Sequence, residues 1–219
     1  MNLVELTSHS LHESAVLSFA ALNAIPCFRH AITTKPWNMS LKTGPQIELA
    51  VKRRRLICEH LGLSFDRLVA LNQIHSPHVV KIQEADAGAG SIDPKTAIQF
   101  VDGVVCDLPN TPVIQFSADC PMIVIVDTKR RIFGTAHASW RGTVAGISAE
   151  LVRQLVREFD AWPDSMIAAI APCAGPDEYE VGEDVLRIAN ARLRGAEAFF
   201  PRRNGRIFFD MRAANVAQL

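Results

Sequence analysis

An apolar run that ends in a histidine and turns at once into helical spacing constrains this 219-residue chain more than any other stretch. Arg131-Ile132-Phe133-Gly134-Thr135-Ala136 reads as a strand closed by His137. Trp140-Arg141-Gly142 then turns the chain into a helix on which Val144, Ile147, Leu151, Leu155 and Phe159 recur at helical spacing. Thr143, just after the turn, is the candidate N-cap. A strand, a turn bearing a histidine and a helix is how α/β proteins present reactive side chains at a sheet end.

The neighbouring sequence extends this reading. Val113-Ile114-Gln115-Phe116 and Met122-Ile123-Val124-Ile125-Val126 are rich in β-branched residues and predict two strands, with Ala118-Asp119-Cys120-Pro121 a tight connection between them. Asp127-Thr128-Lys129-Arg130 predicts a hairpin turn, so the strands on either side of it should be antiparallel neighbours. Leu68-Val69-Ala70-Leu71 and His78-Val79-Val80-Lys81-Ile82 predict strands flanking Gln73-Ile74-His75. Apolar positions from Ile47 to Leu61 predict an amphipathic helix with Arg53-Arg54-Arg55 on its other faces. Met166–Ile170 reads as a buried strand and residues 171–182 as a polar loop. A helix is expected to start near Met211 and to run to Leu219, where the sequence stops.

A hydrophobic content of 48% is enough for a substantial core, and no repeat or linker divides the sequence, so residues 1–219 read as one domain. Basic and acidic residues balance at 23 each, which removes the field that nucleic acid or an anionic membrane would need. Arg53–Arg55 and Lys129-Arg130-Arg131 accordingly read as solvated faces. No apolar stretch approaches a bilayer span, and Met1–Glu5 carries no leader pattern, so the expected location is the cytoplasm. Five widely spaced cysteines fit a reduced protein, most of them as small buried hydrophobes.

His75, Cys120 and His137 are a candidate metal site, because a catalytic zinc commonly takes three protein ligands and keeps a fourth position open. They lie 45 and 17 residues apart, so only a fold that gathers three strand ends makes the site. The same residues admit a metal-free reading, with Cys120 as nucleophile and His75 or His137 as its base. Each also has an ordinary reading, as a loop histidine, a core thiol and a cap. Arg141, beside His137 at a helix start, is the anion-binding candidate, against a structural ion pair. Asp119 is weighed as a carboxylate orienting a histidine against an Asx cap, and Tyr179 as a stacking group against a packed loop anchor. Phosphate-binding glycine loops, the nucleophile elbow of serine hydrolases, the paired motifs of zinc nucleobase deaminases and any His-x-His pair are all missing.

Gln73-Ile74-His75, Ala118-Asp119-Cys120-Pro121 and His137-Ala138-Ser139-Trp140-Arg141-Gly142, in that order, resemble the YfiH family, also called the polyphenol oxidase laccase-domain or DUF152 family. The likeness extends through Tyr179-Glu180-Val181-Gly182 and Ala213-Ala214-Asn215-x-x-Gln218-Leu219. The resemblance implies an α/β (α+β) fold with mixed sheets flanked by outer helices, and a metal, zinc or copper, on His75, Cys120 and His137. Ser76 and Ser139 stand where the family has glycine, its glycine-rich N-terminal loop is shortened to Thr33–Asn38, and its C-terminal segment is missing beyond Leu219.

The resemblance also implies purine nucleoside phosphorolysis with adenosine deaminase and methylthioadenosine phosphorylase activity, the substrates being a purine nucleoside and phosphate. Arg141 is then the natural phosphate clamp, and deamination would draw on a zinc-activated water attacking C6 of adenine. The alternatives are a cysteine-dependent amide hydrolase editing muropeptide precursors and a laccase-like copper oxidoreductase. The expected catalytic residues are His75, Cys120, His137 and Arg141.

Overall fold

The computed structural model describes residues 6–11, 14–42 and 46–219; residues 1–5, on which the reading of no leader rests, lie outside them. Strands β1 (Leu6–Leu11) and β2 (Ser14–Phe19) pair antiparallel, followed by the one-turn helix α1 (Ala20–Asn23) and by β3 (Ile32–Thr33), which joins β2. Helix α2 (Ile47–Leu61) leads to β4 (Val69–Asn72), β5 (Val79–Lys81), β6 (Ile98–Gln99), β7 (Gly103–Cys106) and β8 (Val113–Ile114). Then come β9 (Met122–Asp127), β10 (Ile132–His137), α3 (Trp140–Val144), α4 (Ile147–Phe159) and β11 (Met166–Ile170). The chain continues through β12 (Glu180–Val181), α5 (Glu183–Arg192), β13 (Arg202–Arg203), β14 (Arg206–Phe208) and α6 (Met211–Val216).

The main sheet has the order β11-β9-β10-β7-β5, antiparallel throughout except for the parallel pair β5–β7. Alternation along β9 buries both of its faces. Ile123 and Ile125 pack with Ile147, Leu151 and Leu155 of α4, while Met122, Val124 and Val126 meet Phe19, Leu22 and Ile25 of the N-terminal layer. The close seat of α4 depends on Gly134, where a Cβ would stand 2.8 Å from Leu151 Cδ1. A smaller parallel sheet holds β4 between β6 and β8, and α2 covers it, with Ile57, Leu68, Ala70 and Ile114 in a shared core. This is the mixed α/β architecture with outer helices that the resemblance implies.

The expected β9–β10 hairpin is present, with Asp127 opposite Ile132 and Met122 opposite His137. The helix after it differs from expectation. Trp140-Arg141-Gly142 is the first turn of α3, not a turn ahead of a helix, and the cap is Ser139, whose hydroxyl accepts the Gly142 amide at 3.1 Å. Thr143 lies inside α3 and donates to the Ala138 carbonyl at 3.1 Å. Gly146, at φ +87, then separates α3 from α4, because a left-handed residue cannot continue a right-handed helix.

Three other expectations are corrected. Arg54 is no solvated residue: it is 2% exposed and donates to the carbonyls of Met39, Gly90 and Ser91 at 2.8, 2.8 and 2.9 Å. Those loop carbonyls need a donor, and the guanidinium fork supplies it; Lys129–Arg131 are exposed as expected. The strand at Val113 ends at Ile114, because the Gln73 side chain takes over the main chain of Phe116, donating to its carbonyl at 2.7 Å and accepting its amide at 2.8 Å. The segment through Cys120 therefore links two different sheets. Helix α6, capped by Asp210 on the Ala213 amide at 2.8 Å, ends at Val216 before the last residue. The five cysteines are all free thiols, Cys58 and Cys106 buried.

Candidate active site

Each site residue sits where an element ends. His137 is the last residue of β10, and its partner across the ladder is Met122, so Cys120 lies just beyond the same end of β9. His75 is in the loop between β4 and β5, which is drawn to β7 because the Asp102 and Gly103 amides both donate to the His78 carbonyl, at 3.1 and 3.0 Å. The His75 and His137 rings meet edge to face, 5.1 Å between centroids and 71° between planes. Both histidines and Cys120 line one cleft of about 1530 Å³, together with Gln115, Asp119 and Tyr179.

A carboxylate that the sequence reading passed over lies behind the histidines. Asp102 is fully buried, and one of its oxygens accepts His137 Nδ1 at 2.9 Å and the His75 amide at 3.0 Å. The other accepts the Ser76 amide at 2.7 Å, the Ile74 amide at 3.1 Å and the Ser76 hydroxyl at 3.0 Å. Burial alone would raise its pKa; the bonds from His137, Ser76 and Ile74 outweigh that and bring it down to about 2. Ser76 thus adds a hydroxyl donor to Asp102, while Ser139 caps α3. A carboxylate within the apolar run Val101–Cys106 was the signal available in the sequence.

Cys120 is half-buried, and its thiol pKa is pushed up to about 11, by burial first and then by Asp119, Cys173 and Asp102. Among the described residues neither imidazole is a hydrogen-bond partner of that thiol. Asp119 is exposed and holds no histidine; its carbonyl accepts the Ala174 amide at 2.9 Å, and Asp102 fills the role weighed for it. Tyr179 packs with Trp140 and Phe209 as a loop anchor while also facing the cleft. Arg141 is the second residue of α3, exposed, with its guanidinium over the Trp140 ring at 4.3 Å.

The fit of these residues to a metal divides into donor chemistry and geometry. Two imidazoles and a thiol suit zinc or copper, and His137 is held through Nδ1 by a carboxylate in the manner of many metal-ligating histidines. In geometry, the described residues contain no group of three His, Cys, Asp or Glu side chains already set at ligating positions.

Over residues 30–219 the sequence matches the family described as multi-copper polyphenol oxidoreductase laccase. It is similar to the purine nucleoside phosphorylase YlmD of Geobacillus stearothermophilus, at 32% identity over 185 residues, 83% of this chain and 67% of that one. It is also similar to the adenosine deaminase RL5 of an unknown prokaryotic organism, at 33% identity over 169 residues, 76% of this chain and 64% of that protein. The solved structure of Geobacillus stearothermophilus YlmD superposes with a TM-score of 0.79 at 27% identity, covering 99% of this chain and 75% of that one.

Proposed function

Because the chain belongs to the multi-copper polyphenol oxidoreductase laccase family, we propose that it is an enzyme of purine nucleoside processing, residues 1–219 forming one unit of that fold. The observation that carries the reading is the meeting of His75 and His137 at 5.1 Å on the wall of a cleft that Cys120 also lines. The similarity to a purine nucleoside phosphorylase and an adenosine deaminase supports the substrate class.

His75, Cys120 and His137 would hold the metal, zinc by the donor set with copper as the alternative. Such an ion supplies Lewis-acid activation of water or of a bound oxyanion. The chain's own residues supply the rest. Asp102 keeps the His137 ring in place from behind. Arg141, exposed at the start of α3 with its guanidinium over the Trp140 ring at 4.3 Å, would be the phosphate clamp. Deamination at the same site is the second reading, favoured by the RL5 similarity.

A metal-free cysteine hydrolase has less support, because among the described residues neither imidazole bonds to the Cys120 thiol to serve as its base. Metal content by plasma mass spectrometry, measured with adenosine and inosine turnover in the presence and absence of phosphate, tests the proposal. About one zinc per chain with phosphate-dependent base release supports phosphorolysis, and phosphate-independent inosine formation supports deamination. A metal-free protein inert to nucleosides overturns both.

A further inference from the structure

We infer that Asp102 is the positioning residue of this site, one carboxylate that fixes the ring state of His137 and the backbone of His75 together. The inference rests on the reading of the two histidines as functional and specifies how they are held.

Five donors converge on two oxygens. His137 Nδ1 and the His75 amide share Oδ1; the Ile74 amide, the Ser76 amide and the Ser76 hydroxyl share Oδ2. The same residue's carbonyl accepts the His137 amide at 2.7 Å and Gln115 Nε2 at 2.9 Å, and Gln115 in turn accepts the Thr135 hydroxyl at 2.7 Å. The loop after β4, the strand β10 and Gln115 thus meet at one fully buried residue.

Two consequences follow from donor accounting. An ionised carboxylate has no hydrogen to give, so the bond at 2.9 Å places the proton on His137 Nδ1 and leaves Nε2 as the ring's lone pair. Next to it, His75 adopts φ +65, a conformation that a residue with a Cβ takes only when its surroundings enforce it. Consecutive amides of Ile74, His75 and Ser76, all donating to one carboxylate, enforce it.

An amide in place of the carboxylate cannot reproduce this. Asn at 102 has one accepting and one donating end. With its NH₂ toward the loop it faces two amide N–H groups and a hydroxyl; with its NH₂ toward His137 it requires the lone pair on Nδ1 and drives the proton to Nε2. The loop and the ring cannot both keep their present state.

The test is ring-nitrogen NMR on metal-free, substrate-free protein, with zinc affinity measured separately. The wild type is expected to show the His137 ring in the Nδ1–H form, as its bond to Asp102 requires. Asp102→Asn is expected to shift His137 toward Nε2–H or to broaden the His75 signals, and to weaken zinc about 10- to 100-fold. Ser76→Ala, which removes one donor and keeps both oxygens, should retain the Nδ1–H form. Wild-type His137 in the Nε2–H form overturns the proposal even if Asp102→Asn does not fold. So does a folded Asp102→Asn with unchanged ring state and zinc affinity. Because the NMR needs neither metal nor nucleoside, an enzyme inert to nucleosides would sink the function proposed above and leave this result standing.

Discussion

The ring of His75 stands edge-on to that of His137, with centroids 5.1 Å apart, although 62 positions separate them in the chain. One comes from the loop after β4 and the other from the end of β10, so their meeting is a product of sheet order and not of local sequence. His137→Ala removes one of the two imidazoles and leaves the Ile74, His75 and Ser76 amides their Asp102 acceptor. Metal content and nucleoside turnover are expected to fall together, read by mass spectrometry and a coupled assay on the same preparation; full metal retention with unchanged turnover would remove His137 from the site.

Asp102 makes the fold sensitive to acid. Its pKa in the folded protein lies at about 2 against an ordinary 3.8, so the stabilisation is present above pH 3.8 and is lost as pH falls toward 2. A displacement of that size corresponds to about 2 kcal/mol. Urea unfolding followed between about pH 5 and pH 2 should show wild-type stability falling more steeply than that of Asp102→Asn by about this amount; parallel curves would mean that the carboxylate titrates normally.

The buried Arg54 ties α2 to two loops. Truncation to Ala leaves the carbonyls of Met39, Gly90 and Ser91 without their donor in a site closed to water, at about 1–3 kcal/mol per stranded group. Chemical unfolding of Arg54→Ala should show a loss of about 3 kcal/mol or more, whereas Arg53→Ala, whose side chain donates to the exposed Asn38 carbonyl, should change stability by less than about 1 kcal/mol.

Arg54 also marks the limit of what could be read in advance. Residue type and period fix β9, β10, the hairpin between them and α2, because alternation and helical spacing are local properties. They place Arg54 among its solvated neighbours, since nothing in Arg53-Arg54-Arg55 shows which guanidinium faces three carbonyls contributed by residues 39, 90 and 91. Asp102 was hidden for the same reason: its partners lie at 74–76 and 137, and its importance exists only once the strands are ordered. The helix after His137 was read as continuous because apolar spacing runs smoothly across Gly146, whose φ of +87 breaks the backbone without breaking the pattern.

Cys120 separates the metal reading from the nucleophile reading if it is changed to a residue that ligates but cannot form a thioester or thioether. Cys120→Ala abolishes activity on either account. Cys120→His puts a nitrogen donor in the cleft that His75 and His137 also line and removes the sulfur that a covalent mechanism requires. Under the metal reading this variant should keep zinc at reduced affinity and retain measurable nucleoside turnover, while Cys120→Ala loses both. The burial and acidic neighbours that push the thiol up to about 11 oppose a thiolate but impose no such cost on a neutral imidazole, which is why the replacement is expected to be tolerated. Zinc retained with turnover reduced to background would instead assign the sulfur a direct part in bond making.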